Sequence, residues 1–274
     1  MSSDSPAAAL APAGLAFDGI AARYDAQFTN THIGRAQRNA VWRILTRTFH
    51  SGDYILELNC GTGEDAVFLA RRGISVYSCD ASAAMIEIAS RRVAEEPNLT
   101  NVSFHQLETE NVAALHREIR TFDGVLSDFA GLNCVEDLQA VSENLAGLVR
   151  PGGALVFCFC TRICVTEIVY FLLRGQLQKA LRRCSGKTIA SVGGRLTPVY
   201  YPTLSRLREV FAQYFVLREC TGVGVAIPPS YLESTLATRP RLLKILCMLE
   251  RVLAPLPMFR VTGDHMVLRL ERRA

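Results

Sequence analysis

Carboxylates crowd a glycine turn in the stretch Tyr54-Ile55-Leu56-Glu57-Leu58-Asn59-Cys60-Gly61-Thr62-Gly63-Glu64-Asp65. An apolar run carries Glu57, Gly61 and Gly63 form a Gly-x-Gly pair, and Glu64 and Asp65 open a helical pattern continued by Ala66, Val67, Leu69 and Ala70. Glycines at a strand–turn–helix junction allow positive φ and let a ligand approach bare backbone, at the strand end where open α/β sheets bind ligands. Ala66 completes a Gly-x-Gly-x-x-Ala pattern, which formally admits a dinucleotide. A pyrophosphate on the free N–H groups of the helix start would be repelled by the three acids. The same acids suit a ligand with a positive charge, such as an α-amino group or a sulfonium. Two further acids end later apolar runs. Asp80 follows the glycines by about 20 residues, the spacing for ribose hydroxyls, or else it caps the next helix. Asp128 has the chemistry of a general base or of an anchor for a substrate hydroxyl, or it caps a turn.

The elements that must position these groups alternate. Helical spacing of Phe17, Ile20, Ala21 and Tyr24 starts the ordered part, and residues 33–49 continue as an amphipathic helix with His32 just before it. Strands are predicted at 54–58, 74–79, 102–106, 122–128 and 154–160, with helices at 65–72 (ended by Gly73), 82–94 and 137–149. Strand–helix alternation of this kind predicts a parallel sheet with helices on both faces. Residues 161–205 break the pattern with an apolar helix over 163–181, a Gly-rich polar segment through Gly193-Gly194-Arg195, and Tyr200-Tyr201. Beyond them come a helix at 204–211, strand-like runs at 215–220 and 222–226 broken by glycine, a helix at 242–253, and a last strand at 264–270. His265 begins that strand, the wrong end for a site residue.

The run Ile55-Leu56-Glu57-Leu58-Asn59-Cys60-Gly61-Thr62-Gly63 closely resembles the first motif of class I S-adenosylmethionine-dependent methyltransferases of the small-molecule type. Asp80-Ala81-Ser82-Ala83-Ala84-Met85 is similar to their second motif, Asp128-Phe129 to the fourth, and Phe17-Asp18-x-x-Ala21-x-x-Tyr24-Asp25 to their lead-in. Pro151-Gly152-Gly153 before an apolar strand is a further shared feature. The resemblance covers most of the first 160 residues and the closing strand. It implies a Rossmann-like seven-stranded, mostly parallel sheet with helices on both faces, a closing antiparallel hairpin and a helical lid insertion at 161–205. It implies S-adenosyl-L-methionine as cofactor, held by Tyr24, Glu57, Asn59, Gly61, Gly63, Asp80 (ribose), Ala81, Met85 (adenine), Glu108 (adenine amino group, in place of the usual Asp) and Phe129. Asp128 is the candidate catalytic residue, and His32, Tyr200 and Tyr201 are candidate substrate contacts. The expected reaction is methyl transfer to a small, hydrophobic metabolite, with O-methylation favoured. A nicotinamide-dependent oxidoreductase and a non-catalytic S-adenosylmethionine-binding protein are the alternatives.

Composition narrows the remaining classes. At 274 residues and net charge +4 the chain is one large domain with no long basic block and no aromatic-interleaved basic stripe, so no nucleic-acid partner is expected. Residues 1–16 read as a disordered tail ahead of a methyltransferase domain at 17–274. No apolar run reaches membrane-span length, which points to a cytoplasmic monomer or homodimer. Nine cysteines lie without paired C-x-x-C spacing and suit a reducing compartment. Cys158, Cys160 and Cys164 lack a fourth ligand at zinc-finger spacing, so no metal is expected.

Overall fold

The computed structural model describes residues 10–117 and 121–274. Among these described residues the strands are β1 (Tyr54–Leu58), β2 (Ser75–Asp80), β3 (Val102–Gln106), β4 (Phe122–Ser127), β5 (Val149–Cys160), β6 (Lys187–Val192), β7 (Arg195–Tyr200), β8 (Phe215–Val223) and β9 (His265–Arg272). Seven pair in the order β3-β2-β1-β4-β5-β9-β8, parallel except that β9 runs antiparallel to both β5 and β8. The seven-stranded, mostly parallel sheet and its antiparallel closure are as expected. The central strands are apolar because both their faces are covered. One core gathers Leu56, Leu58, Val125, Leu145, Phe157 and Phe211, and the opposite one Val41, Ile44, Leu45, Ile55, Leu69 and Val156.

The helices are α1 (Ala13–Asp18), α2 (Ala21–Tyr24), α3 (His32–Thr48), α4 (Glu64–Ala70), α5 (Ala83–Ala94), α6 (Leu138–Leu148), α7 (Val165–Leu172), α8 (Leu177–Ala180), α9 (Leu204–Phe211), α10 (Glu233–Leu236) and α11 (Pro240–Leu253). Thr31 caps α3, Ser82 caps α5 and Asp137 caps α6, each accepting from a backbone N–H of the first turn.

Four expectations about elements are corrected. The tail expectation fails for residues 13–16, which lie in α1 with Gly14 and Ala16 buried; residues 1–9 lie outside the described residues. The single helix over 163–181 is two helices, because Gly175 takes a positive φ of 69° and its N–H and that of Gln176 close onto Leu172 and Phe171. The Gly-rich segment is a β-hairpin: Gly193 and Gly194 both have positive φ (57° and 77°), the requirement of a two-residue turn between β6 and β7. The insertion is therefore helical only in part. The glycine break at residue 221–222 is absent: β8 runs through Gly222, and its irregularity falls between Leu217 and Glu219.

Candidate functional site

Parallel order brings the ends of β1, β2 and β4 together, and a cavity opens there with about 620 Å³ of space, part of it continuous with solvent. Tyr24, Asn59, Gly61, Asp80, Ala81, Met85, Asp128 and Phe129 line it. Asp80 shapes its floor: Oδ2 accepts from the Gly61 N–H (2.9 Å) and Oδ1 from the Ser82 N–H (2.8 Å). Gly61 has φ +54°, and a Cβ built on it meets nothing within 4 Å, so a side chain there would occupy the space left for a ligand. Asn59, Phe129 and Ala130 are non-glycine residues at positive φ, all at this strand edge. Such backbone is costly and is held by its surroundings: Asn59 donates to Thr109 Oγ1 and accepts from Ser127 Oγ, both at 3.0 Å.

The lead-in segment is clamped over this cavity by its own two acids. Asp18 Oδ1 accepts from Ser82 Oγ (2.6 Å) and the Ala84 N–H (3.1 Å). Asp25 accepts from Thr62 Oγ1 (2.7 Å) and Arg92 Nη2 (2.5 Å). Tyr24 is thereby fixed on the cavity wall, where burial pushes its phenol upward and keeps it protonated.

Behind the turn lies a buried charge network. Arg38 (3% exposed) pairs with Asp65 (4% exposed), whose other oxygen accepts from Trp42 Nε1 at 2.6 Å. The Arg38 guanidinium also stacks 4.6 Å from the centre of the Phe129 ring. Glu64 is held by Arg35 and Arg92, each at 2.5 Å. The reading of Glu64 and Asp65 as free negative charge facing a ligand is thus corrected: arginines 27 to 29 residues away neutralise both. Glu57 is buried, accepts from Ser78 Oγ (2.6 Å), and is raised well above the ordinary carboxyl range by burial and by nearby Asp65. Asp128 is pushed up to about 8, first by burial and then by Asp65, with Arg38 opposing. Its Oδ1 accepts the N–H of Phe129 (2.8 Å), and its Oδ2 is buried with no hydrogen-bond partner.

Tyr24 and Phe129 also line a second cavity, together with Phe28, Cys160, Arg182, Arg183, Tyr231, Asp264 and His265. Arg183 bridges Glu167 (2.5 Å) and Asp264 (2.9 Å), and Arg182 and the Tyr231 hydroxyl complete the Glu167 shell at 2.8 Å each. Two cations and two anions cancel, leaving a wall that is aromatic and nearly neutral. Cys164 joins Glu167 and Asp264 in a cluster with ligand-like spacing, but the Arg183 guanidinium already supplies the positive charge there. His265 packs edge-on to Phe129, with ring centres 5.5 Å apart. Its Nδ1 lies 3.5 Å from Asp264 Oδ2 without forming a hydrogen bond, and burial lowers its pKa, leaving a neutral ring at neutral pH.

The structure thus brings eight expected residues to one cavity and separates six. Glu57 lies beneath the turn, and Gly63 caps α4, where a Cβ would come within 2.8 Å of Ala89. Glu108 accepts from Asn111 outside the cavity, and its neighbours Thr109 and Glu110 line it instead. His32 is on another face, paired with Glu233 at 2.8 Å. Tyr200 and Tyr201 border a separate cleft with Arg162 and Arg206. Sequence reasoning missed Arg38 and Asp264, and its setting aside of His265 as lying at the wrong end of its strand is corrected, because His265 lines the second cavity. His265 had a signal: in an antiparallel strand the first residue sits level with the last of its parallel neighbour, and His265 pairs with Cys160.

Residues 55–153 match a family described as a methyltransferase domain. A demethylmenaquinone methyltransferase of Mycobacterium marinum is 34% identical over 173 residues, covering 61% of this chain and 67% of that protein. Mouse glycine N-methyltransferase is 32% identical over 154 residues, 51% of each chain. The chain spans 55–58% of the length of four other demethylmenaquinone methyltransferases it matches. The solved structure of the cyclase SpnF shares the fold across 98% of this chain and 100% of its own, with a TM-score of 0.64 at 14% identity. With the motif-bearing strand ends gathered around one cavity and a relative of this identity matched over two thirds of its length, the chain belongs to the class I S-adenosylmethionine-dependent methyltransferase family.

Proposed function

We propose that this protein transfers a methyl group from S-adenosylmethionine to a hydroxyl of a small, hydrophobic, ring-bearing metabolite. One observation carries the reading: two cavities of different character share Tyr24 and Phe129 as a common wall. Cavities that meet at these two residues would let a donor in one and an acceptor in the other touch along the shared border, and holding the two in line there lowers the barrier to displacement.

The first cavity fits the cofactor. Asp80 and Ala81 would take the ribose end, Met85 the base, and Asn59 and the bare backbone of Gly61 the amino-acid end. When bound, the cofactor supplies an electrophilic methyl on a sulfonium. The chain's own residues do the rest. Phe28, Phe129 and Tyr231 hold a flat apolar acceptor by ring contact. His265, neutral and with Asp264 beside Nδ1, takes the acceptor's hydroxyl proton. Of the two roles open to Asp128, general base or anchor for a substrate hydroxyl, a carboxyl protonated near neutrality fits the anchor: from the wall of the first cavity it donates a hydrogen bond across the border to the acceptor. The demethylmenaquinone methyltransferases, named for a quinone acceptor, support the ring-bearing part of this reading, and the glycine N-methyltransferase at similar identity makes the acceptor atom the variable to test.

The test is methyl transfer from labelled S-adenosylmethionine to a panel of phenols, hydroquinones and primary amines, read by mass spectrometry. O-methylated phenols or hydroquinones are expected. Methylation confined to amines, or to a ring carbon, would overturn the hydroxyl assignment.

A further inference from the structure

The outer face of α11 is apolar and substantially exposed. Leu242, Ile245, Met248, Leu249, Val252 and Leu256 are between 38% and 65% exposed. Their spacing places those within the helix on one stripe. The opposite face is fixed. Leu243 and Leu246 pack on Ile33 and Ile227, and Glu250, 2% exposed, accepts the backbone N–H groups of Gly224, Val225, Ala226 and Ile227. The helix is therefore pinned with its apolar stripe outward.

The charge around the stripe is all of one sign. Residues 239–260 contain Arg239, Arg241, Lys244, Arg251 and Arg260, and their one acid is the buried Glu250. Lys244 and Arg251, seven residues apart, run along one edge of the stripe. Arg239, Arg241, Lys244 and Arg251 are exposed and form no ion pair among the described residues.

We propose that α11 seats the protein on an anionic lipid surface, its apolar stripe in the acyl boundary and its cations at the headgroups. An interfacial helix has this pattern, with apolar residues on one side and Lys and Arg beside them. Negative headgroups satisfy the cations while the acyl boundary satisfies the stripe. A second copy of the chain fits less well, because a two-fold contact would bring the same cations against each other. The loop through Pro229, Ser230 and Tyr231, which lines the second cavity, leads through α10 directly into α11. The mouth of that cavity thus lies close in the chain to the lipid-facing helix.

The full chain is sedimented with phosphatidylcholine vesicles, with and without phosphatidylglycerol. Binding is expected only when phosphatidylglycerol is present, and it weakens as salt rises. Lys244→Gln with Arg251→Gln should weaken it about tenfold or more, at roughly 1 kcal/mol per cation. Ile245→Asp with Val252→Asp should abolish it while the thermal midpoint and S-adenosylmethionine binding stay unchanged. Failure to bind any vesicle overturns the proposal, as does binding that ignores the charge variant, which leaves the apolar stripe intact. A wild-type dimer that the aspartate variant splits, with no vesicle binding, would assign the face to a second copy instead.

Discussion

Replacing Asp128 by Asn separates two roles for this carboxyl, and the structure sets the size of the effect. The carboxyl is buried beside Asp65 and pushed up to about 8 from an ordinary 3.8. Between those values the folded protein binds a proton that the unfolded chain releases, so stability falls as pH rises from about 4 to about 8. At about 1.36 kcal/mol per pH unit the interval is worth up to about 5 kcal/mol at pH 8. Relaxation of a site next to an open cavity leaves an expected difference of about 2 kcal/mol or more. Asparagine keeps the shape and cannot ionise. Urea unfolding of the cofactor-free protein between pH 5 and 8 should show the wild type losing more stability than Asp128→Asn, which keeps only the smaller losses from the other raised carboxyls such as Glu57. The variant should overtake the wild type near pH 8. Methyl transfer should survive Asp128→Asn within about tenfold and fall further in Asp128→Ala, since only the amide retains a donor. A wild type that gains stability over this window, or an Asn variant as inactive as the Ala variant, would refute the argument.

Other expectations follow from the same geometry. Gly61→Val fills the open space at the turn and strains φ +54°, so calorimetry should show cofactor affinity falling by at least about a hundredfold. Arg38→Met leaves Asp65 buried with Trp42 as its remaining donor and should cost about 3–5 kcal/mol in urea unfolding, with Arg38→Met/Asp65→Leu recovering a large part of the loss. His265→Gln should lower kcat about a hundredfold or more and remove the acidic limb of the kcat/KM profile. In the wild type that limb lies below the ordinary histidine value, because burial favours the neutral ring.

The cofactor side was legible in the sequence because its residues act where they stand in the chain. Asp80 ends β2, and Asp128 and Gly61 follow the ends of β4 and β1 by one and three residues, and strand ends in a parallel sheet share one edge. Glu57 shows the limit of that reasoning: it lies one residue before the strand's end, and its side chain is buried against Ser78 rather than in the cavity. The acceptor side was not legible. Asp264 and His265, at the start of β9, meet Phe129 beyond β4 and Arg183 of the insertion, and the position of β9 between β5 and β8 brings these distant segments together. Tyr200 and Tyr201 followed from the idea of an aromatic lid, but the hairpin they close turns Tyr201 inward, where its N–H binds Gly186 and its hydroxyl lies 3.5 Å from Thr188. The Gly193-Gly194 pair carried the hairpin signal that the polar composition obscured.

The central claim is that the cavity at the ends of β1, β2 and β4 holds S-adenosylmethionine. The most direct measurement is calorimetric titration of the wild type, Asp80→Ala and His32→Ala with S-adenosylmethionine. The account requires micromolar binding that Asp80→Ala abolishes and His32→Ala, on a separate face, leaves unchanged. Absence of binding, or binding indifferent to Asp80→Ala, would contradict it.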